Sequence, residues 1–201
     1  MKKSKKRKKS NTWTIKQHRD QFFKKSKTLG YRSRASFKLI ELNKKYKFLK
    51  RNTNLLDLGS FPGGWSQVAS QLIREGRIMS IDIKNMEPIK DVRFFKGDVL
   101  SNETKSAVIK YFKSNLDVIL SDMAADTTGN KSLDSIRTNQ LCADVINFSK
   151  ETLKPKGVLV SKIFMGEDFL EVKNLAKSTF NKVNFFKPES SRKESKETYL
   201  H

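Results

Sequence analysis

Between Leu55 and Ser66 an apolar stretch, Leu55-Leu56-Asp57-Leu58, runs into Gly59-Ser60-Phe61-Pro62-Gly63-Gly64-Trp65-Ser66, a glycine-rich turn that opens a helix. Glycines at 59, 63 and 64 let backbone approach a ligand closely and adopt dihedrals closed to other residues, while Pro62 removes a donor and stiffens the loop. This is a cradle for a nucleotide-type cofactor; the bland alternative is an ordinary strand-to-helix turn. Its spacing is neither G-x-G-x-x-G nor G-x-x-x-x-G-K-[ST], so neither a dinucleotide nor a triphosphate is the expected ligand. Asp82 stands 19 positions after Gly63, where an acidic side chain can accept hydrogen bonds from ribose hydroxyls. Asp122 leaves the apolar run Asp117-Val118-Ile119-Leu120-Ser121, and Lys162 sits inside Val158-Leu159-Val160-Ser161-Lys162-Ile163-Phe164. A lysine in an apolar strand needs a partner or a route to water. Asp98, after Gly97, also reads as turn chemistry.

Alternating strands and helices must position these groups. Strands are expected near 54–58, 77–83, 92–96, 117–121, 157–163 and 182–187, with helices near 64–74, 102–114, 135–153 and 167–180. A further helix with a partly buried face begins near Ser33, carrying Ala35, Phe37, Ile40, Leu42 and Tyr46. Lys154-Pro155-Lys156-Gly157 marks a helix-to-strand break, and residues 197–201 are expected to form one more short strand. The alternation predicts an α/β fold with a mostly parallel, doubly wound sheet. Ligands of such sheets bind outside the carboxyl ends of the strands. Asp82, Asp98, Asp122 and Lys162 all fall along that rim.

Composition bounds the partners. The 201 residues suffice for one core with an extension, and the net charge is +21. Residues 1–51 hold 20 Lys and Arg against Asp20 and Glu41, so +18 of the excess lies there and the remaining body is nearly balanced. A basic arm on a near-neutral body is the footprint of a nucleic-acid binder. Residues 1–12 read as a disordered Lys/Ser tail and 13–51 as a basic helical segment of the main domain, 13–201, where Trp13, Phe22 and Phe23 interleave with the charge. A single cysteine, Cys142, and two histidines, His18 and His201, exclude a disulfide framework and a Cys/His zinc site. No secretory h-region or membrane-length apolar run occurs. A soluble, cytoplasmic monomer with no metal and no membrane partner is expected.

The pattern D-L-G-x-x-P-G-G-W, from Asp57 to Trp65, resembles motif I of the FtsJ/RrmJ family of RNA ribose 2′-O-methyltransferases, and the likeness extends over residues 13–201. It implies a Rossmann-like methyltransferase fold with a short antiparallel last strand, and S-adenosylmethionine as cofactor. It also implies a cofactor site of Gly59, Pro62, Gly63, Gly64, Trp65, Asp82, Asp98 and Asp122, with Asp98 beside the adenine amino group. The family's Lys-Asp-Lys-Glu catalytic set falls on Lys38, Asp122, Lys162 and Glu197. Taken singly, Lys38 and Glu197 read as solvated surface charges. The expected substrate is ribosomal RNA in the large ribosomal subunit, at a uridine ribose of the 23S A loop. Transfer RNA, a messenger cap, and a non-catalytic role in ribosome assembly remain the alternatives. Two departures from the pattern touch the methyl and substrate pocket: Phe61 replaces a small residue, and Ala125-Asp126 stands where Pro-Asn is common.

A ribose hydroxyl is a poor nucleophile at neutral pH, so positioning and proton removal are the tasks left to such a protein. Lys162 is a candidate proton acceptor oriented by Asp122 and Glu197, with Lys38 as its cationic neighbour. The sequence leaves open whether Lys162 is a base or a charged orienter. A nicotinamide oxidoreductase on a similar sheet would require G-x-G-x-x-G after the first strand, which is absent.

Overall fold

The computed structural model describes residues 20–201. The expected tail over 1–12, together with Trp13 and His18, lies outside them. Helices α1 (Gln21–Thr28) and α2 (Ala35–Tyr46) precede strand β1 (Leu55–Leu58) and helix α3 (Gly64–Leu72). Strands β2 (Ile78–Asp82) and β3 (Val92–Lys96) follow, then α4 (Asn102–Phe112), β4 (Leu116–Ser121), α5 (Lys131–Thr152) and β5 (Leu153–Phe164). The chain continues through α6 (Phe169–Thr179), β6 (Phe185–Phe186) and β7 (Glu197–Leu200).

The strands form one seven-stranded sheet in the order β3-β2-β1-β4-β5-β7-β6. The first five are parallel, and β7 runs antiparallel to both β5 and β6. Strand order reverses between β1 and β4, which makes the carboxyl ends of those two strands the switch point where a ligand crevice opens. The architecture is the α/β, Rossmann-like sheet the sequence predicts.

Element boundaries differ for identifiable reasons. Helix α5 starts at Lys131, four residues early, because the Asn130 side chain caps it by accepting from the Ser132 and Leu133 amides at 3.0 and 3.3 Å. Strand β5 starts at Leu153 because Leu153 pairs with Leu116, and the next pair is Val158 with Val118. The Lys154 to Gly157 segment therefore bulges out within the strand instead of preceding it. The strand expected over 182–187 reduces to Phe185–Phe186.

Both faces of the sheet are covered. Leu56, Leu58, Ile81 and Ile119 pack towards α4, α5 and α6 through Val108, Val145, Ile146 and Val172. On the other face Leu55, Ile78, Val118, Leu120 and Val160 meet α2 and α3 through Leu39, Leu42, Trp65, Val68 and Ala69. Leu39 and Leu42 are fully buried, and each such side chain contributes about 1.5–3 kcal/mol. Their burial clamps α2 on the sheet and holds the neighbouring Lys38 over the carboxyl rim.

Candidate active site

Each site residue reaches the rim through a strand end or the clamped helix. Gly59 ends β1 with φ of 70°, and a Cβ there would collide with the Met123 side chain. Only glycine lets the β1 and β4 ends approach this closely. Beside it lies a cleft of about 460 Å³ lined by Gly59, Phe61, Asp82, Asp98, Asp122 and Asp126, among others. Asp82 accepts from the Phe61 amide through Oδ2 and from the Lys84 amide through Oδ1, each at 2.8 Å. Asp98 accepts from the Leu100 amide at 3.0 Å through one oxygen. Among the described residues four carboxylates and the single lysine Lys84 line the cleft, so it suits a ligand carrying cationic groups and hydroxyls.

The remaining expected cofactor residues stand elsewhere. Pro62, Gly63, Gly64 and Trp65 do not line this cleft. Trp65 is 3% exposed, donates its indole N–H to the Ala35 carbonyl at 2.8 Å, and packs against Tyr199 at 5.6 Å between ring centroids. Its indole is a core group that fixes α3 to α2. Gly63, with φ of 104°, abuts Met86, and Gly64 lies against Ser33 and Ser36. Both positions permit close packing behind the turn.

At the end of the cleft formed by Asp122, the four residues of the expected catalytic set converge. Lys162 Nζ is 2.7 Å from Asp122 Oδ1 and donates to the Asp122 carbonyl at 2.8 Å. Lys38 Nζ lies 3.0 Å from Glu197 Oε1, 3.1 Å from its Oε2 and 3.8 Å from Asp122 Oδ1. The register explains the convergence. Lys162 faces Tyr199 and Phe164 faces Glu197 across the antiparallel β5–β7 pair, so the beginning of β7 reaches the rim where β5 ends. Lys38, Lys162 and Glu197 are all buried, and each has an oppositely charged partner, as buried charge requires.

Burial raises the Asp122 carboxyl, but Lys162, Lys38 and the Tyr199 hydroxyl outweigh it and hold the group below the ordinary carboxylate range. Glu197 behaves alike: burial pushes it up, and Lys38 and Lys162 bring it down on balance. Both are anions at neutral pH, and the cluster sets two lysines against two carboxylates.

Two participants were not assigned a role from the sequence. Tyr199, fully buried, donates its hydroxyl to Asp122 Oδ1 at 2.6 Å. Burial, then Asp122 and Glu197, push its phenol well above the usual value, so it remains a donor. Its signal was present in the spacing, since Tyr199 follows Glu197 by two residues and therefore shares its face of the strand. Asp57, 1% exposed, accepts from the Ser66 hydroxyl at 2.5 Å directly behind the glycine turn. Burial pushes its carboxyl up to about 7.

Cys142 is buried, and burial pushes its thiol up to about 11, so it is inert packing. Among the described residues no cluster of three or more His, Cys, Asp or Glu side chains is placed to hold a metal ion, and no helix is long and apolar enough to cross a membrane.

Comparison with known proteins identifies the family. The family model for FtsJ-like methyltransferases matches residues 31–201. The chain is 46% identical over 191 residues to a ribosomal RNA large subunit methyltransferase E of Pelagibacter ubique, covering 95% of this chain and 94% of that one. It is 42% identical over 197 residues to the protein of that name from Rickettsia bellii, covering 95% and 87%. A crystal structure described as a ribosomal RNA methyltransferase of Plasmodium falciparum superposes with a TM-score of 0.76 at 32% identity, over 85% of this chain and 96% of that one.

Proposed function

The chain belongs to the FtsJ-like methyltransferase family, and on that premise we propose that it methylates the 2′-hydroxyl of a ribose in ribosomal RNA, using S-adenosylmethionine. The proposed target is a uridine in the A loop of 23S RNA within the large subunit. The names of its relatives support the class of RNA, and the site supports the chemistry. S-adenosylmethionine, when bound, supplies a methyl group on a sulfonium, an electrophile that needs no further activation. Asp82 and Asp98 would hold its hydroxyl and amino groups, and the acidic lining suits its positive charge.

One observation carries the mechanism: Lys162 Nζ has two acceptors, Asp122 Oδ1 at 2.7 Å and the Asp122 carbonyl at 2.8 Å. A neutral lysine amine has two N–H bonds and one lone pair. Donating both N–H bonds to Asp122 leaves the lone pair for the proton of a ribose hydroxyl. That proton would become the third N–H as the oxygen takes the methyl group, whose bond to sulfur would break and leave a neutral thioether. Asp122, fixed by Tyr199, stabilises the resulting ammonium, and Lys38 holds Glu197 as the opposite wall. Positioned proton removal of this kind is worth roughly 10² to 10⁴ in rate.

The test is labelled methyl transfer to large ribosomal subunits, to 23S RNA and to transfer RNA, followed by mapping of the modified nucleotide. Label at a 23S ribose is the expected result, and Lys162→Ala should keep cofactor binding while losing transfer by about 10² to 10⁴-fold. Label on transfer RNA alone would overturn the substrate, and Lys162→Ala activity within a few-fold of wild type would overturn the proton acceptor.

A further inference from the structure

The rim opposite the catalytic cluster, at the amino ends of β1, β4 and β5, carries a second charged feature. Two clefts of about 760 and 550 Å³ meet there and share the Lys154 to Val158 bulge and His201. They are the two halves of one groove straddling the bulge. Lys47 and Lys50, beyond the end of α2, and Lys150, near the end of α5, line it with Lys154, Lys156 and Lys182. Among the described residues the only acidic side chain on either half is Asp117, which is engaged by Lys154 at 2.8 Å. Among the described residues no ion pair involves Lys47, Lys50, Lys150, Lys156 or Lys182.

Lys150, Lys154, Lys156 and Lys182 come from the nearly neutral body beyond residue 51, and Lys47 and Lys50 from the basic segment before it. The groove has the opposite polarity to the catalytic cleft, where four carboxylates face one lysine. Five free ammonium groups drawn from four separate segments present a track of positive charge rather than one point. A track of this kind fits successive phosphates of a polynucleotide better than a single phosphate.

We infer that this groove is a second RNA-binding surface, one that holds the phosphate backbone of the substrate away from the reacting nucleotide. The inference rests on the proposed RNA methyltransferase function. Strand β4, six residues long, separates the two rims by roughly 20 Å at about 3.3 Å per residue. A nucleotide in the groove is therefore never the one being methylated, and an RNA that engages both rims must be large and folded. The groove contributes affinity and orientation and leaves the chemical step unchanged.

The experiment compares wild type with a Lys47→Ala, Lys156→Ala, Lys182→Ala triple variant and with the matching triple Lys→Arg variant. All three substituted side chains are exposed; thermal melting and cofactor affinity verify that the fold and cleft are intact. For protein-free 23S RNA the alanine variant should show a shallower slope of log affinity against log salt, by about 2 to 3, from roughly 0.7–0.9 per lost phosphate contact. KM for RNA should rise at unchanged kcat, and the arginine variant should restore both. A wild-type slope and KM in the alanine variant, with wild type active on this RNA, would overturn the groove proposal alone. Where wild type is inactive on protein-free RNA, the same comparison is made on assembled large subunits; if it methylates neither, the functional reading itself fails and the groove with it. Weakened binding to assembled large subunits, with protein-free RNA unaffected, would overturn RNA as the partner and point to a ribosomal protein.

Discussion

Replacing Asp57 by Asn should abolish a pH dependence of folding that the wild-type chain carries near neutrality. Asp57 is 1% exposed. Burial raises its carboxyl, the Ser66 hydroxyl opposes that, and Asp122 and Asp82 add to it, giving a value of about 7 against an ordinary 3.8. The folded-state value lies above the unfolded one, so the folded chain binds the extra proton between those limits. Its stabilisation is fully present below the unfolded value and is lost as pH rises through about 7. At 1.36 kcal/mol per pK unit the whole span is about 4 kcal/mol, of which roughly 2–3 kcal/mol disappears between pH 5 and 8. Asp122 and Glu197 are shifted downwards, so both are ionised in either state across this window. His201, lowered by burial and by Lys182, contributes with the opposite sign but equally in both proteins. Urea unfolding of wild type and Asp57→Asn at intervals from pH 5 to 8 therefore isolates one group: wild type should lose about 2–3 kcal/mol relative to the variant. Parallel stability curves would refute the claim that Asp57 is folded in its protonated form.

Asp82→Ala should weaken S-adenosylmethionine binding by about 10- to 100-fold, the equivalent of a charge-assisted hydrogen bond of roughly 1.5–3 kcal/mol; unchanged affinity by calorimetry would reduce Asp82 to its ties with Phe61 and Lys84. Tyr199→Phe removes the 2.6 Å bond to Asp122 and should slow single-turnover methyl transfer by roughly tenfold at unchanged cofactor affinity, from a lost bond of about 1.5 kcal/mol. A rate within twofold of wild type would show that the two lysines fix Asp122 unaided.

The rim residues were legible because strand polarity alone assigns them. In a parallel sheet every strand presents its carboxyl end to the same edge, so Asp82, Asp98 and Asp122 could be placed without knowing which strands are neighbours. The Trp65 side chain shows the opposite circumstance. Motif position says that a residue lies near the turn, but the helical rotation of α3 decides which way it points, and at 65 it points into Ala35 and Tyr199. Glycines 63 and 64 are ambiguous in the same way, because a close approach between backbone and a side chain leaves the same sequence mark as a close approach to a ligand. The bulge at Lys154 to Gly157 looked like a strand boundary because Pro and Gly mark interruptions whether a strand begins there or only bends.

Lys38 and Glu197 show where local pattern ends. They are 159 positions apart, joined at 3.1 Å, and each has the composition of a surface charge. Only their matching positions in the resembled family singled them out; the physical reason lies in the sheet. β7 enters between β5 and β6 antiparallel to both. Were it parallel, Glu197 at its start would lie on the amino rim, beside the lysine groove, and Lys38 would be buried with no carboxylate of its own. The reversed strand turns a surface glutamate into the partner of a buried lysine, and two residues later it delivers Tyr199 to Asp122. The same reversal keeps Glu197 off the amino rim, where its charge would oppose the lysines proposed to hold RNA.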